Sequence, residues 1–164
     1  MPDLKMIHAA VLRLLALGAT VAAVVVMVTS HETATVLNMK FTAKYNNTEA
    51  FMYFVVANAV ASGYSLIVLL LPCKSLCWRI ILILDVVMVV LLASSMSAAL
   101  AIAQVGKKGN SHAGWLPICG QVPRFCDHVG GAIISGIAGS SLYLVLLLHS
   151  IYNVLGSAIF SLKP

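Results

Sequence analysis

Four long apolar stretches dominate this chain, and each is long enough to cross a bilayer at about 20 residues per crossing. They run from about Ile7 to Thr29, Phe51 to Leu71, Ile80 to Ala103 and Gly130 to Leu155. In hydrocarbon every backbone N–H and C=O must be bonded within the segment, so such stretches fold as helices. Composition agrees: 61% of the 164 residues are hydrophobic and 9% charged, against about 25% charged in a soluble domain. The expected fold is therefore an all-α membrane protein, a single domain over residues 1–164 built as a four-transmembrane-helix bundle. Pro72 ends the second span, because proline cannot continue a helix. The first stretch has Lys5 before it and no small-residue cleavage site in a polar context, so it reads as a retained helix rather than a signal peptide.

The connections are unequal. Residues 30–50 and 104–129 form long polar loops, and residues 72–79 a short one. Cations are scattered: Lys40, Lys44, Lys107, Lys108 and Arg124 lie in the long loops, Lys74 and Arg79 in the short one. Their density in the short loop beside membrane ends places it in the cytoplasm with both termini. Two features of the long loops fit an exterior location. Asn46-Asn47-Thr48 is a glycosylation sequon on Asn46. Cys119 and Cys126 pair in an oxidising exterior, closing a ring worth about 2–3 kcal/mol and shaping the loop around Trp115; a metal site there would have only His112 and His128 to add. Cys73 and Cys77 lie beside the membrane on the cytoplasmic side, either as palmitoylation sites or as inert thiols. The net charge of +5 forms no basic stripe or basic helix, which argues against nucleic acid.

Against this apolar background two charges stand out. "LILDVVMVV", Leu82 to Val90, carries Asp85, and "HAAVLRLLALGA" carries Arg13. A charge at the centre of a membrane helix costs about 2.5–3.5 kcal/mol on insertion scales. The first and third spans run in the same direction, and each charge lies about 9 Å from the cytoplasmic end at 1.5 Å per residue. Opposite charges at one level predict an interhelical ion pair. Arginine alone can snorkel to the interface, but a short aspartate cannot. His149 in the fourth span and Tyr64 or Ser65 in the second fall near the same depth, which outlines a polar layer; for His149 the preferred reading is a helix-end histidine facing the interface. Small residues mark helix-packing faces: Ala57, Ala61 and Ser65 in the second span, Ala132, Gly136 and Ser140 in the fourth, with Gly131, Ser135 and Gly139 beside them. Such rows let backbones approach closely, within the bundle or between copies. No catalytic constellation, phosphate loop, cofactor motif or metal cluster is present, so no enzyme is expected.

The stretches "AFMYFVVANAVASGYSLI" and "HAGWLPICGQVPRFCDHVGG" resemble those of plant Casparian strip membrane domain-like proteins, most closely subfamily 1 and, within it, the E group. The W-x-x-I-C-x-Q-x-x-x-F-C spacing from Trp115 to Cys126 carries the match, and Arg13 and Asp85 fall on the family's charged intramembrane positions. The resemblance covers Arg13 to Tyr152. It implies a four-span plasma-membrane protein with cytoplasmic termini and a fold related to the MARVEL domain. It also implies homo- and hetero-oligomers with related four-span proteins, assembled into a scaffold in the lipid bilayer that gathers cell-wall enzymes or receptors. Residues 30–50 lack the aromatic-rich stretch of the founding members, so the resemblance implies the scaffold without implying lignin deposition. Claudins carry their Trp and Cys pattern in the first outer loop, and tetraspanins have a Cys-Cys-Gly motif, so both fit less well. The competing functional reading is a small channel or transporter that uses the polar layer.

Overall fold

The computed structural model describes residues 2–36, 39–70 and 77–161. Helix α1 spans Pro2–Thr29, α2 Glu49–Leu70, α3 Cys77–Lys108 and α4 Pro123–Ser161. Each contains a segment long and apolar enough to cross a membrane. Neighbouring helices pack around a ring, α1 on α2, α2 on α3, α3 on α4 and α4 back on α1, while opposite helices share no comparable backbone contact. The bundle interior divides into two layers of side chains. One, toward the loop-bearing end, is built on Met27, Phe51, Phe54, Met96, Phe125 and Ile133; the other on Ala16, Ala61, Met88, Leu92, Tyr143 and Leu146.

Between α1 and α2 the chain is not the irregular loop that an all-α fold requires. His31–Val36 (β1) and Met39–Lys44 (β2) form an antiparallel hairpin in which Thr33 faces Thr42 and Ala34 faces Phe41. "HETATV" and "MKFTAK" are polar, yet they alternate with period two and are rich in β-branched and aromatic residues. Ala34 and Ala43 turn inward onto the outer core layer.

The helix ends also depart from the hydropathy limits. α3 continues to Lys108, where Gly109 stops it with φ of 69° and its N–H bonded to the Val105 carbonyl at 2.7 Å. That left-handed position suits glycine alone here, since a Cβ would lie 2.6 Å from the Trp115 carbonyl oxygen. α4 begins at Pro123, well before Gly130, with proline in the first turn where its missing N–H costs nothing. Its first turns look polar as "PRFCDHV", but Val122, Phe125 and Val129 bury one stripe against the core. The short connection around residues 72–79 falls largely outside the described residues, and with it Cys73 and the side chain of Cys77.

The small residues of α4 serve the bundle. A Cβ at Gly136 would lie 2.6 Å from Met96 Cε and 2.8 Å from the Phe54 ring; one at Gly139 would lie 3.0 Å from Thr20 Cγ2. Gly131 faces Val26 of α1, Ser135 bonds back to the Gly131 carbonyl, and Ala132 is fully buried. Ser140 bonds back to the Ile137 carbonyl of its own helix. On α2, Ala57, Ala61 and Ser65 are completely enclosed. The Phe54 ring cannot withdraw as the Met96 methyl can. Gly136→Ala is therefore expected to destabilise the bundle by about 1–3 kcal/mol through overpacking; an unchanged denaturation midpoint in detergent would contradict this contact.

Candidate functional site

Arg13 lies on the inward face of α1 with Ala16, while Leu14 and Leu15 face outward, and Asp85 lies on the inward face of α3. These helices stand on opposite corners of the ring, so the long arginine side chain crosses the bundle axis. Its Nη2 donates to both carboxylate oxygens of Asp85, at 3.0 Å and 2.8 Å. Asp85 is fully enclosed and Arg13 nearly so. Tyr64 of α2 completes the arrangement. Its hydroxyl donates to Asp85 Oδ1 at 2.7 Å and approaches the Ile81 carbonyl at 3.1 Å, and its ring lies 5.5 Å from the Arg13 guanidinium carbon. A cation within about 6 Å of a ring is attracted by its quadrupole. One tyrosine thus supports the acid through its hydroxyl and the base through its ring.

The other diagonal is crossed at the same level. Tyr143 of α4 is completely buried and its hydroxyl donates to the Ala61 carbonyl of α2. That uses its single proton, so the Ser65 hydroxyl, 2.6 Å away, donates to Tyr143. Ser65 therefore belongs to the layer through Tyr143 and not through Asp85. His149 is turned elsewhere: it is only part-buried and meets the Asn153 amide of its own helix at 3.3 Å. Tyr143 was not singled out by depth counting, although a tyrosine inside an apolar helix must find a partner for its hydroxyl when buried. Asn58, also enclosed, bonds back to the Phe54 carbonyl at 2.9 Å.

Because Arg13 engages Asp85 through one nitrogen rather than as a two-pronged fork, its Nη1 has no hydrogen-bond partner among the described residues. The charges neutralise each other at the centre of the bundle, wrapped by aromatic and aliphatic side chains. Such an arrangement ties all four helices together. It places no acid or base beside a cleft, and no group of metal-binding side chains occurs among the described residues.

At the loop-bearing end a second set of contacts joins distant segments. Cys119 and Cys126 form a disulfide. The N–H groups of Ile118 and Cys119 donate to the Gly106 carbonyl near the end of α3, so the bridge fastens that end to the first turn of α4. Trp115 exchanges two backbone hydrogen bonds with Asn110 and leaves its side chain largely exposed. From the hairpin, Glu32 accepts the Phe125 N–H at 2.9 Å, filling one of the unbonded donors at the start of α4 with a negative charge. Glu32→Ala is expected to cost about 1 kcal/mol locally, read as faster amide exchange at Phe125; unchanged exchange would exclude the cap. Asn46 is exposed in the single helical turn Tyr45–Asn47 that leads from the hairpin to α2.

A family model for the Casparian strip membrane protein domain matches residues 4–142. Among curated relatives, CASP-like protein 1C1 of Vitis vinifera is 59% identical over 94% of this chain and 98% of its own. CASP-like protein 1C2 of Populus trichocarpa is 64% identical over 93% of each chain. CASP-like protein 1C1 of Arabidopsis thaliana is 57% identical over 92% of each. These names carry group 1C, whereas the sequence resemblance pointed to the E group of subfamily 1. No solved structure matches the chain.

Proposed function

The chain belongs to the Casparian strip membrane protein domain family, and on that premise we propose that it is a scaffold that self-associates and organises a domain of the plasma membrane together with partners facing the cell wall. Membership itself makes it a multi-pass, non-enzymatic structural protein of the plasma membrane. The finer reading is supported above all by the closed polar layer. Arg13, Asp85 and Tyr64 bond with one another across one diagonal, and Tyr143 bonds Ser65 and the Ala61 carbonyl across the other, which suits a rigid body more than a path for ions. In this reading the termini are cytoplasmic, the hairpin and disulfide loop are exterior, Asn46 is glycosylated, and the fold is related to the MARVEL domain. Associates are further copies and related four-span proteins, and wall enzymes or receptors meet the exterior loops.

Differently tagged copies should co-purify from plant plasma membranes, and a fluorescent fusion should recover slowly after photobleaching. A freely diffusing monomer would overturn the scaffold reading. Asp85-dependent ion or proton flux in liposomes would replace it with a channel. Glycosidase treatment should raise the mobility of the native chain but not of Asn46→Gln, and an insensitive native chain would remove the glycan.

A further inference from the structure

At the loop-bearing end of the bundle lies a cavity of about 840 Å³, within the usual 300–1,000 Å³ range of ligand sites. Its floor is formed by Ile102 of α3 and Ile134 of α4, both inside membrane-spanning segments and both exposed on the bundle surface. Its upper wall is formed by β2 and by the loop carrying Trp115. The cavity therefore begins at the depth of lipid chains and ends among polar loops. Lys44 and Lys107, both exposed, lie on its lining, opposed by a single acid, Asp127. Neither the charged layer nor the helix packing accounts for this space.

We propose that the cavity binds an anionic phospholipid of the surrounding bilayer, with an acyl chain along Ile102 and Ile134 and the phosphate between Lys44 and Lys107. Two features select this occupant. The floor is apolar and continuous with the membrane-facing surface, so a chain enters without crossing water. The polar end carries two exposed lysines against one aspartate, a net positive charge that complements a lipid phosphate in the exterior leaflet through charge-assisted hydrogen bonds. The hairpin and the disulfide loop form the walls, so the lipid would contact both loops at once. The site stands on the cavity and its charges, independently of self-association.

Trp115 reports on the site directly. The chain has two tryptophans, so Trp78→Phe leaves Trp115 alone. The purified variant is reconstituted in phosphatidylcholine vesicles containing phosphatidylglycerol or phosphatidylcholine with brominated acyl chains at equal mole fraction. Quenching of Trp115 should favour the acidic lipid by roughly fivefold, the preference expected from a net gain of one cation. Lys44→Gln with Lys107→Gln should abolish that preference. Gly130→Leu tests the cavity itself. Gly130 lines it, and no atom lies within 4 Å of where its Cβ would be, so a side chain can start there and project into the cavity. Leucine should reduce quenching by the acidic lipid to the level given by phosphatidylcholine. Equal quenching by both lipids overturns the proposal, as does a preference that survives either the lysine changes or Gly130→Leu.

Discussion

Asp85→Ala is expected to lower the stability of the bundle by about 3–5 kcal/mol, because it leaves the Arg13 guanidinium buried without its counter-charge. Arg13→Ala should cost a similar amount by stranding the carboxylate. The measurement is reversible unfolding of the purified protein in mixed detergent, together with the yield of monodisperse protein. Two double variants carry the decisive information. Replacing both charges by apolar side chains of similar volume, as in Arg13→Met with Asp85→Leu, removes the desolvation penalty along with the attraction and should restore most of the loss. Tyr64 keeps the Ile81 carbonyl as a hydrogen-bond acceptor in that variant. Exchanging the charges should restore only part, since the Tyr64 hydroxyl and ring are placed for an acid on α3 and a cation from α1. If neither double variant improves on the single changes, attraction between these residues is not what holds them in the bundle.

Removing the disulfide is the second large effect. Cys119→Ser with Cys126→Ser should cost about 2–3 kcal/mol from the loop-closure entropy restored to the unfolded chain. Each single change should cost as much as the double, because either one opens the ring. The damage should concentrate where the bridge acts: amides of Ile118 and Cys119, which hold the Gly106 carbonyl, should lose exchange protection, while those of α2 should not. Loss of protection throughout all four helices would show instead that the ring supports the whole fold.

The four membrane helices and the diagonal pair were legible in the sequence for one reason: charge in hydrocarbon is costly, so its position is informative. Arg13 and Asp85 share a depth and have opposite signs, and those two facts suffice. Depth alone does not fix direction around a helix. His149 lies near the height of the layer, but at about 100° per residue it sits roughly 120° around the helix from Tyr143, in keeping with the helix-end reading. Tyr143 itself carries no charge, so nothing in the local pattern distinguished it from the aliphatic residues beside it. The hairpin escaped because its strands are short and polar and the described side chains that pack on the core are small, Ala34 and Ala43. The early start of α4 escaped because a hydropathy window averages over "PRFCDHV", whereas burial follows the stripe of Val122, Phe125 and Val129.

The crossing of the bundle by Arg13 has a consequence for how the chain is made. Its partner lies 72 residues further along, so at synthesis rates of ~5–20 residues per second the arginine waits roughly 4–14 s for Asp85 to appear. Throughout that interval a cationic helix sits in the insertion machinery without its neutralising aspartate. The first two helices can lie side by side but cannot be completed as a pair, and commitment to the finished bundle is deferred until the third arrives. A chain truncated before Asp85 therefore carries an unneutralised cation within its first membrane helix, a charge that the full-length protein conceals.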